Sequence, residues 1–238
     1  GYWPFNSGSG TIAEDQILAN DGALNNMGIK GWINSTAPVP YESTVDGNWT
    51  NAASWLSGQG EPTANWSRVK VNSNLLLNEN REVLELTVES GKSLTVDTGV
   101  GLTVTDSLSN LSGVNGLILK SDATGTASLI HTSESVDATA QRYIPKYDVD
   151  VSGWHFLSSP VAQQAIRPGF VGNGNPVPGN NDFYKWDETT NYWINTKDET
   201  GNWNTSFEDD FVVGRGYNVA YELSGRSEEH TSELQSLS

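Results

Sequence analysis

Leucine and valine flank threonine in three successive tripeptides, Leu86-Thr87-Val88, Leu94-Thr95-Val96 and Leu102-Thr103-Val104, spaced eight residues apart. Side chains of an extended chain point alternately to opposite faces, so Leu and Val share one side and Thr takes the other. That is the pattern of a half-buried strand. The segments between the copies, Glu89-Ser-Gly-Lys-Ser93 and Asp97-Thr-Gly-Val-Gly101, put glycine where tight corners need positive φ. The series begins near Val69-Lys-Val71 and Leu75-Leu77, and continues through Ser107-Leu-Ser109, Gly116-Leu-Ile-Leu119 and Ser128-Leu-Ile130. Corners that redirect the chain without reversing it wind such strands into a parallel β-solenoid of about three faces per coil. Hairpin turns would instead make an antiparallel meander. Asn-Gly and Asp-Gly, favoured in two-residue hairpins, do not occur between the three Leu-Thr-Val copies, which points to the solenoid.

The pattern changes character at Gln141-Arg-Tyr-Ile-Pro145 and Gly153-Trp-His-Phe-Leu157, where strands become aromatic. Gly169 to Asp182 has glycine and proline punctuation and no apolar periodicity, so it reads as a long loop. Asp187-Glu-Thr-Thr-Asn191 and Asp198-Glu-Thr-Gly-Asn202 read as turns before Tyr192-Trp193 and Trp203, with a further strand in Phe211 to Val219. Residues 1–45 hold short apolar pieces between Gly, Asn and Ser clusters, with Thr11 to Leu18 the one candidate helical turn. The expected organisation is all-β: an N-terminal segment over 1–45, a short β-solenoid over 46–140, a β-sandwich-like module over 141–225, and a tail over 226–238.

Charge narrows the partners. Lys plus Arg number 13 against 29 Asp plus Glu, a formal net charge of -16, which repels phosphate backbones and excludes nucleic acid as a partner. Apolar runs reach only three residues, as in Leu75–Leu77 and Leu117–Leu119, against the roughly 20 a spanning helix needs. No membrane span is therefore expected in this segment. With no cysteine there is no disulfide and no thiolate metal site. A small share of charged residues, 18%, with abundant Gly, Trp, Asn, Ser and Thr suits a secreted or surface-exposed β-protein.

Catalytic chemistry finds little support. His131 and His155 lack a nucleophile elbow or other supporting motif. Glu208, Asp209 and Asp210 are adjacent, so alternate side chains face opposite ways, a better fit to a solvated edge than to a paired-carboxylate cleft. No enzyme activity is expected. Asp187, Glu188 and Asn191 in one turn offer hard oxygen ligands to calcium, as do Asn180, Asn181 and Asp182, although no EF-hand spacing is present. The aromatic residues of the last third suit stacking on sugar rings. Trp193, Trp203, Tyr192 and Asn202 are the candidate ligand-binding residues, with Trp203 the more exposed tryptophan and Trp186 in the core.

Three resemblances bear on this reading. Tyr2-Trp-Pro-Phe-Asn-Ser-Gly-Ser-Gly-Thr-Ile-Ala-Glu-Asp15 with Asn20-Asp-Gly-Ala-Leu24 resembles the opening of laminin-G-like sandwiches, of which only a rump would be present. Asp46-Gly-Asn-Trp49 and Ser54-Trp55, before Gly58-Gln-Gly-Glu-Pro62, resemble the start of solenoids in large surface proteins of Bacteroidota, the indoles capping the open end of the stack. Arg226-Ser-Glu-Glu-His-Thr-Ser-Glu-Leu-Gln-Ser236 resembles a translated sequencing adapter, so the tail is expected to be artefactual and the chain a fragment of a longer bacterial reading frame from a metagenome. Together these imply a noncatalytic secreted or cell-surface protein that adheres to, or binds, extracellular polysaccharide or matrix. The alternative is a polysaccharide-active enzyme, lyase or glycosidase, or its accessory domain. No cofactor is expected unless calcium binds.

Overall fold

The computed structural model describes residues 1–5, 9–26, 40–145, 153–177 and 181–221, and the backbone of Arg226–Leu234. The chain is all-β. Helical turns among the described residues are the three-residue 3-10 segments Ala52–Ser54 and Gly113–Asn115.

Between residues 41 and 144 the chain alternates between two open sheets. Tyr41–Glu42, Arg68–Val71, Arg81–Val88, Gly101–Asn110 and Ser128–Ile130 lie side by side in one. Gly47–Asn48, Leu75–Leu77, Leu94–Val96, Leu117–Leu119 and Val136–Ile144 lie side by side in the other. Every neighbouring pair among these ten strands is parallel, so each return adds a strand beside its predecessor. The antiparallel meander therefore does not describe this stretch. The reason lies in corners such as Gly91 (φ 72) and Gly99 (φ 73), which turn the chain toward the other sheet rather than back along itself. One hairpin, Ser121–Asp122 with Gly125–Thr126, interrupts a return.

The three Leu-Thr-Val copies fall on successive strands and do not stack on one another. Leu86 pairs with Val69 and Leu108, Leu94 with Leu75 and Leu117, and Leu102 with Arg81 and Leu129. All three leucines and Val88, Val96 and Val104 are buried, at 1% exposure or less, while Thr87, Thr95 and Thr103 are half-buried on the other side. Leu102→Ala should accordingly cost about 2 to 5 kcal/mol and Thr103→Ala well under about 1 kcal/mol, read from urea unfolding. Equal costs would overturn the assigned faces.

Polar side chains stack along the corners as the apolar ones do inside. Asp46 accepts from the Asn74 backbone and side-chain N–H groups at 2.8 and 2.9 Å, and Ser93 Oγ donates to Asn74 Oδ1 at 3.1 Å. Thr50 and Asn78 exchange hydrogen bonds, and Lys120 reaches Asp97 at 2.9 Å. The Asn- and Ser-rich composition is thus spent on satisfying exposed corners between returns.

Two boundaries move. Tyr41–Glu42, expected in the N-terminal segment, pairs in register with Arg68–Val71, because Tyr41 packs on the first core. Val136–Ile144 runs across the boundary expected at 140: Val136, Ala138 and Ala140 belong to the first core, and Ile144 to a second. Upstream, Thr11 to Leu18 is strand and turn rather than helix, within the pair Ile12–Ala13 and Gly22–Ala23. Residues 27–39 lie outside the described residues, as do residues 235–238 of the tail. Arg226–Leu234 lies antiparallel along Val136–Ile144, residue for residue. An edge strand leaves a row of N–H and C=O groups that any extended segment can satisfy.

The second core is lined by one antiparallel sheet in the order His155–Leu157, Tyr217–Tyr221, Asn181–Asp187, Tyr192–Asn195. Leu157, Phe183, Tyr217, Val219 and Tyr221 are buried on one face, against Ile166, Phe170, Phe207 and Phe211 from irregular chain. Among the described residues this layer opposite the sheet holds loops and no second sheet. The other face of the sheet points to solvent.

Candidate functional site

Strand alternation builds that outer face. With Phe183 inward, Tyr184 and Trp186 point outward. The register then places Phe156 and Tyr184 opposite Asn218, and Trp193 opposite Trp186. Trp154 joins them from the chain just before its strand, its ring 5.8 Å from that of Tyr184. Trp186 and Trp193 meet at 5.4 Å and Phe156 and Trp193 at 6.3 Å between centroids. Five rings therefore share one surface, and Phe156, Trp193 and Trp154 are 72%, 43% and 40% exposed. Phe156 and Trp193 stand on the two edge strands, yet they touch. Gly214 and Gly216, which have no side chains to intervene, line the groove of about 960 Å³ beneath them. Asn218 lies between the rings on a central strand, its Oδ1 without a hydrogen-bond partner among the described residues.

The charged groups at the groove are tied up. Glu208 accepts from Lys185 Nζ at 2.5 Å, from Arg215 Nη1 at 2.9 Å and from the Tyr217 hydroxyl at 2.7 Å. Partial burial works to raise the Glu208 pKa, but Lys185, Tyr217 and Arg215 outweigh it and hold the carboxyl below its usual range. Tyr217 moves the other way, raised by burial and by donating to Glu208. A carboxylate kept ionised by three donors is a poor general acid, and a phenol pushed upward is a poor base. The three adjacent acids also part company: Glu208 is 18% exposed, whereas Asp209 is 81% exposed and pairs with Arg167 at 3.4 Å. The solvated edge expected for all three does not hold for Glu208, which is drawn inward by its cations.

Trp193 lies on the aromatic face. Tyr192, although 72% exposed, pairs with Asp187 and so points to the other side of the strand. Trp203 is off the face altogether and less exposed than Trp193. It packs on the second core with its ring 5.7 Å from Phe207 and the Arg167 guanidinium 3.8 Å above it. Asn202 is held in its turn, donating its backbone N–H to Asp198 at 2.9 Å and its amide to Thr200 at 2.9 Å. Trp186, expected in the core, is half-buried on the outer face. Trp154 and Phe156 were missed as site residues, although the alternation in Trp154-His155-Phe156-Leu157, with Leu157 inward, signals them.

The calcium turn closes on itself. Asp187 accepts from the Thr190 hydroxyl at 2.7 Å and the Thr189 N–H at 3.0 Å, contacts that lower its pKa, and Asn191 adopts φ 56 with its N–H on the Asp187 carbonyl. These bonds account for Asp187 and Asn191 as turn formers. Among the described residues no three His, Asp or Glu side chains converge as a metal site would require. Asn180, from the second candidate set, lies outside them.

A family model matches residues 40–235. The chain belongs to that family, DUF8693, a domain of unknown function. The matched stretch opens one residue before Tyr41–Glu42, where the parallel sheets begin. No curated protein and no solved structure matches the chain.

Proposed function

We propose that this member of DUF8693 is a noncatalytic protein of the cell surface or exterior, in which a β-solenoid presents a sandwich-like module that binds a neutral polysaccharide on its aromatic face. The observation that carries the reading is the set of five rings, Trp154, Phe156, Tyr184, Trp186 and Trp193, on one solvent-facing side of a sheet whose other side is core. Rings arranged so stack on the C–H faces of pyranoses. A neutral chain fits best, because Lys185 and Arg215 are occupied by Glu208 and the protein carries -16 overall. Strict alternation between two parallel sheets supports the solenoid, and irregular chain supplies the second layer of the module. Location outside the cell draws support from composition and from the likeness to Bacteroidota surface proteins.

The test is affinity electrophoresis in gels containing xylan, β-glucan or mannan. A polysaccharide that retards the parent should bind Phe156→Ala and Trp193→Ala about tenfold more weakly or worse. Phe156→Ala, at a position already 72% exposed, should keep its thermal midpoint. Tyr192→Ala, on the opposite side, should migrate as the parent does. A parent retarded by none of the three gels, or a folded Phe156→Ala Trp193→Ala double variant retarded as strongly as the parent, would overturn the reading.

A further inference from the structure

The rings of the aromatic face are tilted against one another. The planes of Trp154 and Tyr184 meet at 53°, those of Phe156 and Trp193 at 42°, and those of Trp186 and Trp193 at 64°. None of these three pairs lies in a common plane, so the five rings form no flat strip. Their depth differs as well. Phe156 is 72% exposed and Trp193 43%, whereas Trp186 is half-buried. All three line the groove of about 960 Å³, and Thr190, Gly214 and Gly216 continue its wall. That volume is at the upper end of the roughly 300 to 1,000 Å³ typical of ligand pockets, so the groove takes a ligand larger than one sugar ring.

Tilt and depth separate two physical forms of one polysaccharide. A crystalline face is a flat array of chains, and stacking on it needs rings in one plane at one height. A ring held off such a face by a taller neighbour loses its contact, because dispersion fades over a gap of an ångström or less. A dissolved chain stands alone and turns about its glycosidic bonds. Its successive sugars can meet rings set at different angles, and it is narrow enough to enter the groove as far as Trp186.

We propose that the aromatic face takes a single dissolved polysaccharide chain, laid into the groove over Phe156, Trp186 and Trp193, and not the flat face of a crystalline polymer. The proposal rests on the reading of this face as a glycan site and adds the physical form of the ligand.

The probes are the same backbones in two forms. Xylohexaose, cellohexaose and mannohexaose are titrated by calorimetry, and crystalline xylan, microcrystalline cellulose and crystalline mannan are tested by depletion of protein from the supernatant. The parent should bind one hexasaccharide at a single site. The crystals should deplete the parent no more than they deplete the Phe156→Ala Trp193→Ala double variant. Trp186→Ala should bind the hexasaccharide about tenfold more weakly or worse, since a chain in the groove reaches a ring that a flat face does not. If Trp186→Ala fails to fold, the hexasaccharide and crystal measurements on the parent still decide. Depletion of the parent by crystals above the level of the double variant would overturn this inference and leave the glycan reading standing. So would hexasaccharides left unbound by a parent that the polysaccharide gels retard, or a folded Trp186→Ala protein with the parent's affinity. A parent that binds no form of any of these backbones would overturn the glycan reading itself, and this inference with it.

Discussion

Trp49→Ala should destabilise the parallel part by about 3 to 5 kcal/mol, whereas Trp66→Ala should stay within about 0.5 kcal/mol. The difference follows from place rather than residue type. Trp49 is fully buried at the first return and meets Trp55 edge-on, with centroids 4.9 Å apart and planes at 76°. Trp49 donates its indole N–H to the Pro62 carbonyl at 3.1 Å, and its own carbonyl accepts from the Trp55 indole at 2.7 Å. Truncation removes the ring, opens a cavity beneath the edge strands Tyr41–Glu42 and Gly47–Asn48, and leaves the buried Pro62 carbonyl without that donor. Trp66, at 56% exposure, has little of this to lose. Urea unfolding followed by far-UV circular dichroism measures both. Because two separate cores are present, the transition of the parallel part should move while that of the aromatic part stays. A loss below about 1 kcal/mol for Trp49→Ala would show that the indole does not close this end.

The parallel part was legible because its pattern is local. Alternation in Leu86-Thr87-Val88 fixes which side is buried, and glycine corners without Asn-Gly or Asp-Gly favour redirection over reversal. The register was not legible, since which return lies beside which depends on corner lengths and not on the tripeptides. Leu86 and Leu94 look alike in sequence, yet they sit in different sheets. The boundary near Tyr41 was missed for a related reason: a two-residue strand carries no periodicity, and only its partner Arg68–Val71 reveals it.

The site was legible in composition and only partly in residues. Exposed and core aromatics have the same composition, so the question for each ring is which face of its strand it occupies. Phe183 fixes this for its strand, and outward positions for Tyr184 and Trp186 follow. Trp203 misled because a turn beside Gly201 and Asn202 suggests exposure, whereas the ring folds back under Arg167 onto Phe207. Trp154 and Phe156 come from the far edge of the sheet, and their meeting with Tyr184 and Trp193 depends on long-range strand order.

Glu208→Gln should cost about 2 to 4 kcal/mol at neutral pH, somewhat below the loss expected for one partner of a fully buried pair because 18% of the side chain meets solvent. The neutral amide keeps the shape but leaves Lys185, only 13% exposed, and Arg215 without their counter-charge. The pH dependence gives the sign. Glu208 is held below 4.5 in the folded protein, so the unfolded chain takes up its proton first as acid is added. Its stabilisation is complete above the unfolded value and fades as pH falls through the folded one. The gap in unfolding free energy between parent and variant should therefore be widest near neutrality and close in acid. Asp46, Asp97, Asp122, Asp187 and Asp198 are also lowered by their hydrogen bonds, so the parent loses stability over the same range, but that loss is common to both proteins and cancels in the gap. A gap that stays constant from neutrality into acid would remove the carboxylate from the account.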